Sequence, residues 1–264
     1  MASMSPNLNV MIRAARKAGR GLVRDFGEAE ALTVSIKGAG DFVTAADRKS
    51  EDTIRAMLME ARPNYGWVGE ESEPVAGKDP TRRWIVDPLD GTTNFLHGLP
   101  HWAVSIGLEH RGKMVAGVIF DPVKDEIFVA EEGAGAWLND RRIRVSARRD
   151  LGAAIFATGL PFGAKTTLPE TIRDLTQLLP RTAGVRRFGC ASLDLAYVAA
   201  GRYDGYWERE ISEWDMAAGL AVLREAGGLV SGIGDGEPMA TGRIVAANPD
   251  IFDAFAAMID GSGR

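Results

Sequence analysis

Asp87 and Asp90 stand on either side of a proline in the run Trp84-Ile85-Val86-Asp87-Pro88-Leu89-Asp90-Gly91-Thr92-Thr93-Asn94-Phe95. Three bulky apolar residues read as the end of a buried strand, and polarity then changes at once. Asp87 falls at the carboxyl end of that strand, and Pro88 is expected to stop the ladder because it has no N–H to donate. Asp90-Gly91 turns the chain, and Thr92-Thr93-Asn94 offers hydroxyls and free amides of the kind that start a helix. Two carboxylates beside a helix N-terminus make a place where cations and a phosphate can meet. The chemistry this points to is metal-dependent hydrolysis of a phosphate ester.

Two further acids share the context. Glu70 hangs from the short apolar strand Gly66-Trp67-Val68-Gly69, and Asp215 sits at a helix start in Trp214-Asp215-Met216-Ala217-Ala218-Gly219. Taken singly, each acid reads as a cap, a turn residue or a solvated charge, and an Asp in a first helical turn most often complements the dipole. The small residues after Asp215, however, let its helix pack close to something else. Four carboxylates converging in one cleft would repel one another unless cations neutralised them. All-oxygen donors with no nearby His or Cys select a hard ion, Mg²⁺ before Mn²⁺. Four exceed what one Mg²⁺ usually takes from protein, so two or more ions are expected. A pair roughly 3.5–4 Å apart can activate a water and stabilise the leaving oxygen.

Two competing readings fail on spacing. A phosphatase with an aspartyl-phosphate nucleophile would place its acids two apart on one strand face, as in Asp-Leu-Asp-Gly-Thr. Here a proline intervenes and the period-2 alternation is broken, so water is the favoured nucleophile. An EF-hand would need acids at positions 1, 3 and 5 before its Gly.

The elements that must carry these residues are legible in outline. Residues 7–27 have apolar positions at helical spacing, stopped by Gly27. Thr33-Val34-Ser35-Ile36 alternates as a strand, Lys37 to Gly40 is a loop, and Asp41-Phe42-Val43-Thr44 leads into a helix over 45–61. From Ala103 to Val145 short β-rich runs separated by turns predict an antiparallel sheet. After residue 146 strands and helices alternate: strand 154–157, helix 167–179, strand 185–188, helix 192–200, strand 203–208, helix 214–226, strands 229–230 and 244–247, and a last helix over 249–259. This predicts an α+β chain with an N-terminal half, 1–146, bearing most of the acids, and an α/β C-terminal half, 147–264, completing the site.

Composition excludes several classes. At 264 residues, with 45% hydrophobic and 25% charged residues, the chain is long and apolar enough for a large core. The formal charge of −5 argues against direct nucleic-acid binding, and the clusters Arg141-Arg142-Ile143-Arg144 and Arg148-Arg149 lack interleaved aromatics. Cys190 is the only cysteine, so no intramolecular disulfide forms and a reducing, cytoplasmic setting fits. His97, His101 and His110 all lie far from it in sequence, which counts against a nucleophilic thiol. No segment is apolar for long enough to span a membrane, and the first ten residues have no signal-peptide core.

Four motifs in order, Asp41-Phe42-Val43-Thr44-Ala45-Ala46-Asp47, Gly69-Glu70-Glu71-Ser72, Asp87 to Phe95 and Trp214 to Gly219, together resemble the inositol monophosphatase family. The resemblance implies a layered α–β–α–β–α fold, a homodimer, Li⁺ sensitivity and hydrolysis of myo-inositol 1-phosphate. By position it implies that Glu70, Asp87 and the Leu89 carbonyl bind a first Mg²⁺, and that Asp87, Asp90 and Asp215 bind a second. Glu70 would hold a weaker third through water. Thr92, oriented by Asp47, would position the attacking water, and the amides of Gly91 and Thr92 would hold the phosphate. Glu208, Asp90 and the Ala191 amide would contact the leaving alcohol. The family also includes enzymes for fructose 1,6-bisphosphate, histidinol phosphate and 3′-phosphoadenosine 5′-phosphate, and contact with the transcription machinery is a regulatory alternative. Arg186 and Arg187 are candidates for a second anion. Glu210 and Glu213 depart from the pattern by adding negative charge just before Trp214.

Overall fold

Period-2 alternation in the central strands divides the molecule into layers. On the strand Arg82–Asp90, Trp84 and Val86 enter one core while Ile85 enters another, and on Lys113–Asp121 Val118 and Phe120 separate from Ile119 in the same way. Both faces of this sheet are therefore covered. The computed structural model describes residues 5–26, 34–38, 41–161 and 167–260, and for 34–38 and 41–44 the backbone alone. Gly27, Thr33 and the Ala39-Gly40 end of the expected loop lie outside the described residues.

The helices are α1 (Pro6–Phe26), α2 (Ala45–Ala61), α3 (Thr92–Leu96), α4 (Leu168–Leu178), α5 (Ala191–Ala199), α6 (Glu213–Glu225), α7 (Pro238–Thr241) and α8 (Phe252–Asp260). The strands are β1 (Val34–Gly38), β2 (Asp41–Thr44), β3 (Gly66–Gly69), β4 (Arg82–Asp90), β5 (Ala103–His110), β6 (Lys113–Asp121) and β7 (Glu126–Glu131). There follow β8 (Gly135–Leu138), β9 (Arg141–Ile143), β10 (Ile155–Thr158), β11 (Gly184–Arg186), β12 (Gly205–Arg209), β13 (Leu229–Ser231) and β14 (Arg243–Ala247). β3 to β9 form a seven-stranded sheet in chain order, and β11-β10-β12-β14-β13 a five-stranded one.

Helices α1 and α2 cover one face of the larger sheet, α5 and α6 lie between the two sheets, and α4 and α8 cover the far side of the smaller sheet. This is the expected layered α–β–α–β–α arrangement. The antiparallel run from β5 to β9 matches expectation, whereas β3 and β4 pair in parallel. α6 comes unusually close to the larger sheet: a Cβ on Gly107 would lie 2.9 Å from the Ala217 methyl, and one on Gly117 would collide with the Ala218 backbone. The small residues after Asp215 serve this approach.

Two local expectations change. Asp41–Thr44, read as a lead into helix α2, is itself a strand paired antiparallel with β1. Pro88 does not end its strand, for β4 resumes at Asp90, which pairs with Ala103 across a bulge between Asp87 and Asp90. Proline is tolerated there because β3 ends at Gly69, opposite Val86, so no neighbouring strand requires the missing N–H on that side.

Candidate active site

The site is assembled where β3 and β4 end side by side. Glu70 N–H donates to the Val86 carbonyl at 3.2 Å, which sets Glu70 beside Asp87. The next amide, Glu71 N–H, donates at 2.8 Å to Oε2 of Glu51, a buried acid on α2. Gly69 is needed here, since a Cβ would fall 2.6 Å from that same oxygen. α2 also pins the bulge, because Ser50 Oγ donates to the Pro88 carbonyl at 2.8 Å. Within the bulge Leu89 N–H turns back to Asp87 Oδ1 at 2.9 Å. The Pro88 carbonyl and the Leu89 amide thus both have local partners.

Gly91 then takes φ +92°, and a Cβ would lie 3.1 Å from the His101 carbonyl. Gly91 itself caps α3, without a side-chain hydrogen bond, so the hydroxyls of Thr92 and Thr93 are not spent as caps. Thr92 Oγ1 lies 3.1 Å from Asp47 Oδ1 and 3.0 Å from the Leu89 carbonyl. Both are acceptors, so the single hydroxyl proton points at them and the oxygen lone pairs are left to accept from another molecule.

Asp90, at the end of β4, and Asp215, in the first turn of α6, are fixed at the helices between the sheets. Asp90 Oδ2 accepts from Ser192 N–H at 2.7 Å, Ser192 Oγ at 2.6 Å and Cys190 Sγ at 3.1 Å, so this acid caps the N-terminus of α5 from across the molecule. Asp215 Oδ2 accepts from Ser212 N–H at 2.7 Å in a capping box. Ligand atoms of Asp87, Asp90 and Asp215 all lie within 4.8 Å of one another. Asp87 and Asp90 are buried and Asp215 half-buried.

The electrostatics follow from that crowding. Burial first, then the charges of Glu70, Asp90 and Asp215, push the Asp87 carboxyl well above the ordinary range. Burial, Asp90 and Glu70 do the same to Asp215. Asp90 is raised less, since burial is opposed by the Ser192 hydroxyl and amide. Such a group must hold protons or cations. Its donors are all oxygen, with Cys190 turned into a hydrogen bond and its thiol pushed up by burial, so the residues present fit a hard divalent ion.

Glu70, Asp87, Leu89, Asp90, Gly91, Thr92, Ala191, Glu208 and Asp215 line one cleft of about 470 Å³, with Asp47 directly behind Thr92. Glu70 shares the cleft but stands outside the three-carboxylate cluster. Tyr206 Oη donates to Glu208 Oε2 at 2.5 Å, and Gly159 lies so close to that carboxylate that a methyl there would overlap it. Arg187 reaches the cleft, whereas Arg186 sits exposed on the edge strand β11. Glu213 faces away, paired with Arg83 at 2.9 Å, while Glu210 lines the cleft. Sequence reasoning missed Ser192, Glu51, Gly159 and Asp194. Ser192 has the residue type of a helix start, but its partner is remote in sequence.

A sequence model described as the inositol monophosphatase family matches residues 3–262. Inositol-1-monophosphatase of Rhizobium meliloti is 53% identical over 253 residues, covering 96% of this chain and 95% of that protein. Nus factor SuhB of Pseudomonas aeruginosa is 47% identical, over 97% of this chain and 96% of that protein. Among solved structures, extragenic suppressor protein suhB from Bartonella henselae superposes with a TM-score of 0.93 at 51% identity, covering 97% of this chain and 98% of that one.

Proposed function

The chain belongs to the inositol monophosphatase family, and we propose that it is a Mg²⁺-dependent phosphomonoesterase that hydrolyses myo-inositol 1-phosphate to inositol and phosphate. The observation that carries the proposal is the meeting of Asp87, Asp90 and Asp215 within 4.8 Å, next to a threonine whose hydroxyl proton is already committed. Glu70, Asp87 and the Leu89 carbonyl would hold one ion, and Asp87, Asp90 and Asp215 a second. Divalent ions there would supply charge neutralisation of the phosphate oxygens, a more acidic water and stabilisation of the departing alkoxide.

The chain's own residues do the rest. Asp47 holds the Thr92 hydroxyl so that its lone pairs accept a hydrogen bond from the attacking water and fix its line of approach. The amides of Gly91 and Thr92, at a turn opened by a positive φ, donate to the phosphate. Glu208 and the Ala191 amide face the leaving alcohol, with Glu208 steadied by Tyr206. Placing the ligands of one cleft on both sides of residue 146 agrees with a site between two halves.

Among the described residues no helix is long and apolar enough to cross a membrane. A cytoplasmic homodimer is our reading of the physical state, to be checked by light scattering in solution. The relatives named Nus factor SuhB support a second reading, in which the same chain also contacts the transcription machinery; pull-down with purified antitermination factors tests it. For the enzyme, phosphate release from inositol 1-phosphate, fructose 1,6-bisphosphate, histidinol phosphate and 3′-phosphoadenosine 5′-phosphate is measured with Mg²⁺, with and without Li⁺. Inositol 1-phosphate is expected to be hydrolysed best. Mg²⁺-dependent release from none of them would sink the assignment.

A further inference from the structure

Asn94 follows Thr92 by two residues, inside α3, and is buried. Its Nδ2 lies 2.8 Å from the His101 carbonyl, 2.7 Å from the Phe188 carbonyl and 3.4 Å from the Gly189 carbonyl. Three acceptors at one end fix the orientation of the amide, because only its nitrogen carries hydrogens. One hydrogen goes to the loop after α3, and the other to a segment 94 residues further along the chain. The Asn94 carbonyl in turn accepts from Leu99 N–H at 2.8 Å, which braces the same loop.

That segment carries Arg187 and Ala191, which line the cleft. Residues 187–190 lie between β11 and α5, so neither a strand ladder nor a helix fixes them. Phe188 is 47% exposed, so burial holds it only in part. Gly189 takes φ +76°, and a Cβ there would fall 2.7 Å from Arg187 Nη1, so the arginine folds back over the glycine. A Cβ on Gly91 would lie 3.3 Å from the Gly189 carbonyl, so the turn assigned to the phosphate touches this segment backbone to backbone. Asp90 anchors one end of the segment through Cys190 and Ser192, and Asn94 anchors the other through Phe188 and Gly189. We propose that Asn94 is a positioning residue, whose side-chain amide sets Arg187 and the Ala191 amide against the phosphate turn, and that affinity for the ester depends on this clamp. The proposal rests on the phosphatase reading above.

Two measurements on Asn94→Ala test it. In steady-state hydrolysis of inositol 1-phosphate, KM should rise roughly tenfold while kcat changes by less than about threefold. A KM at the wild-type value, or a fall in kcat as large as the rise in KM, overturns the proposal. Cys190, the only cysteine and 1% exposed, reports on the segment directly. Its alkylation by iodoacetamide should be roughly tenfold faster in the variant, at a rate that low urea leaves unchanged, because local opening exposes little surface. Alkylation at the wild-type rate, or a rate that climbs with urea in step with global unfolding, overturns the clamp. Asn94→Asp keeps the shape, removes the amide donors and serves if the alanine variant does not fold; failure of both to fold makes Asn94 a folding residue and overturns the proposal as well. If the wild type does not hydrolyse inositol 1-phosphate, the phosphatase reading falls, and the thiol still decides whether Asn94 holds the segment.

Discussion

Replacing Asp87 by Asn should stabilise the metal-free protein and abolish its response to Mg²⁺. The amide oxygen still accepts from Leu89 N–H, so the bulge in β4 is preserved and one charge is removed. With ligand atoms no more than 4.8 Å apart, each fully charged pair would cost ~3.5 kcal/mol or more at an effective dielectric of about 20. Partial protonation lowers that, so a net gain of ~3 kcal/mol is expected for a residue facing Glu70, Asp90 and Asp215. For 264 residues the unfolding entropy scales to ~0.55 kcal/mol/K, so the gain is a Tm rise of roughly 5 °C. The effect depends on pH in a fixed direction. The folded carboxyls of Asp87 and Asp215 titrate above their unfolded value of 3.8, so the native state binds more protons once pH exceeds that value. Stability of the metal-free wild type therefore falls as pH rises through the raised range, and the advantage of the variant grows over the same range. Adding Mg²⁺ at ~100 times its Kd restores ~2.7 kcal/mol to wild type and little to the variant. The assay is thermal unfolding in EDTA and in Mg²⁺ from pH 5 to 8, beside phosphate release, which the variant should almost wholly lose. A variant less stable than wild type in EDTA at pH 8, or one that keeps the Mg²⁺ shift, would refute the reasoning.

Ser192→Ala removes one of the donors that fix Asp90 Oδ2 and leaves the backbone donor in place, so apparent Mg²⁺ affinity should fall roughly tenfold in activity titrations. Unaltered Mg²⁺ dependence would dissociate Ser192 from the site. Gly159→Ala drives a methyl into the Glu208 carboxylate; KM for inositol 1-phosphate should rise roughly tenfold while the Mg²⁺-induced Tm shift persists, and a KM at the wild-type value would argue against a contact between Glu208 and the alcohol. Burial and then Lys124 hold the His101 imidazole down to about 4, so the unfolded chain takes up its proton first as pH falls below 6.5. The stability this group contributes is present above pH 6.5 and is lost toward pH 4, by at most ~3 kcal/mol; urea midpoints of His101→Gln should decline less steeply over that range, and parallel declines would count against it.

The candidate site was legible in sequence wherever a candidate residue also punctuates its own element. Asp87 and Asp90 follow an apolar strand, Glu70 ends another, and Asp215 opens a helix whose small residues pack against Gly107 and Gly117. The supporting groups were not legible, because they act across the fold. Ser192 meets Asp90 from 102 residues away, and Glu51 reaches the Glu71 amide from 20 residues away on another element. Pro88 illustrates a different limit. Its missing N–H was read correctly, but whether that ends a strand depends on what lies alongside, and β3 has already stopped there. The order of the smaller sheet was hidden for a similar reason, since β12 pairs with β14 across two intervening helices and a strand.

Glu210 and Glu213 show the same limit in one turn. In sequence they are two identical charges just before Trp214, and composition and spacing treat them alike. The turn between β12 and α6 separates them. Its left-handed residue sends Glu210 to the cleft and Thr167, while Glu213, already in the first turn of α6, swings out to Arg83. Which of the two lines the cleft therefore depends on a backbone angle at one residue, which no count of charged residues along the chain contains.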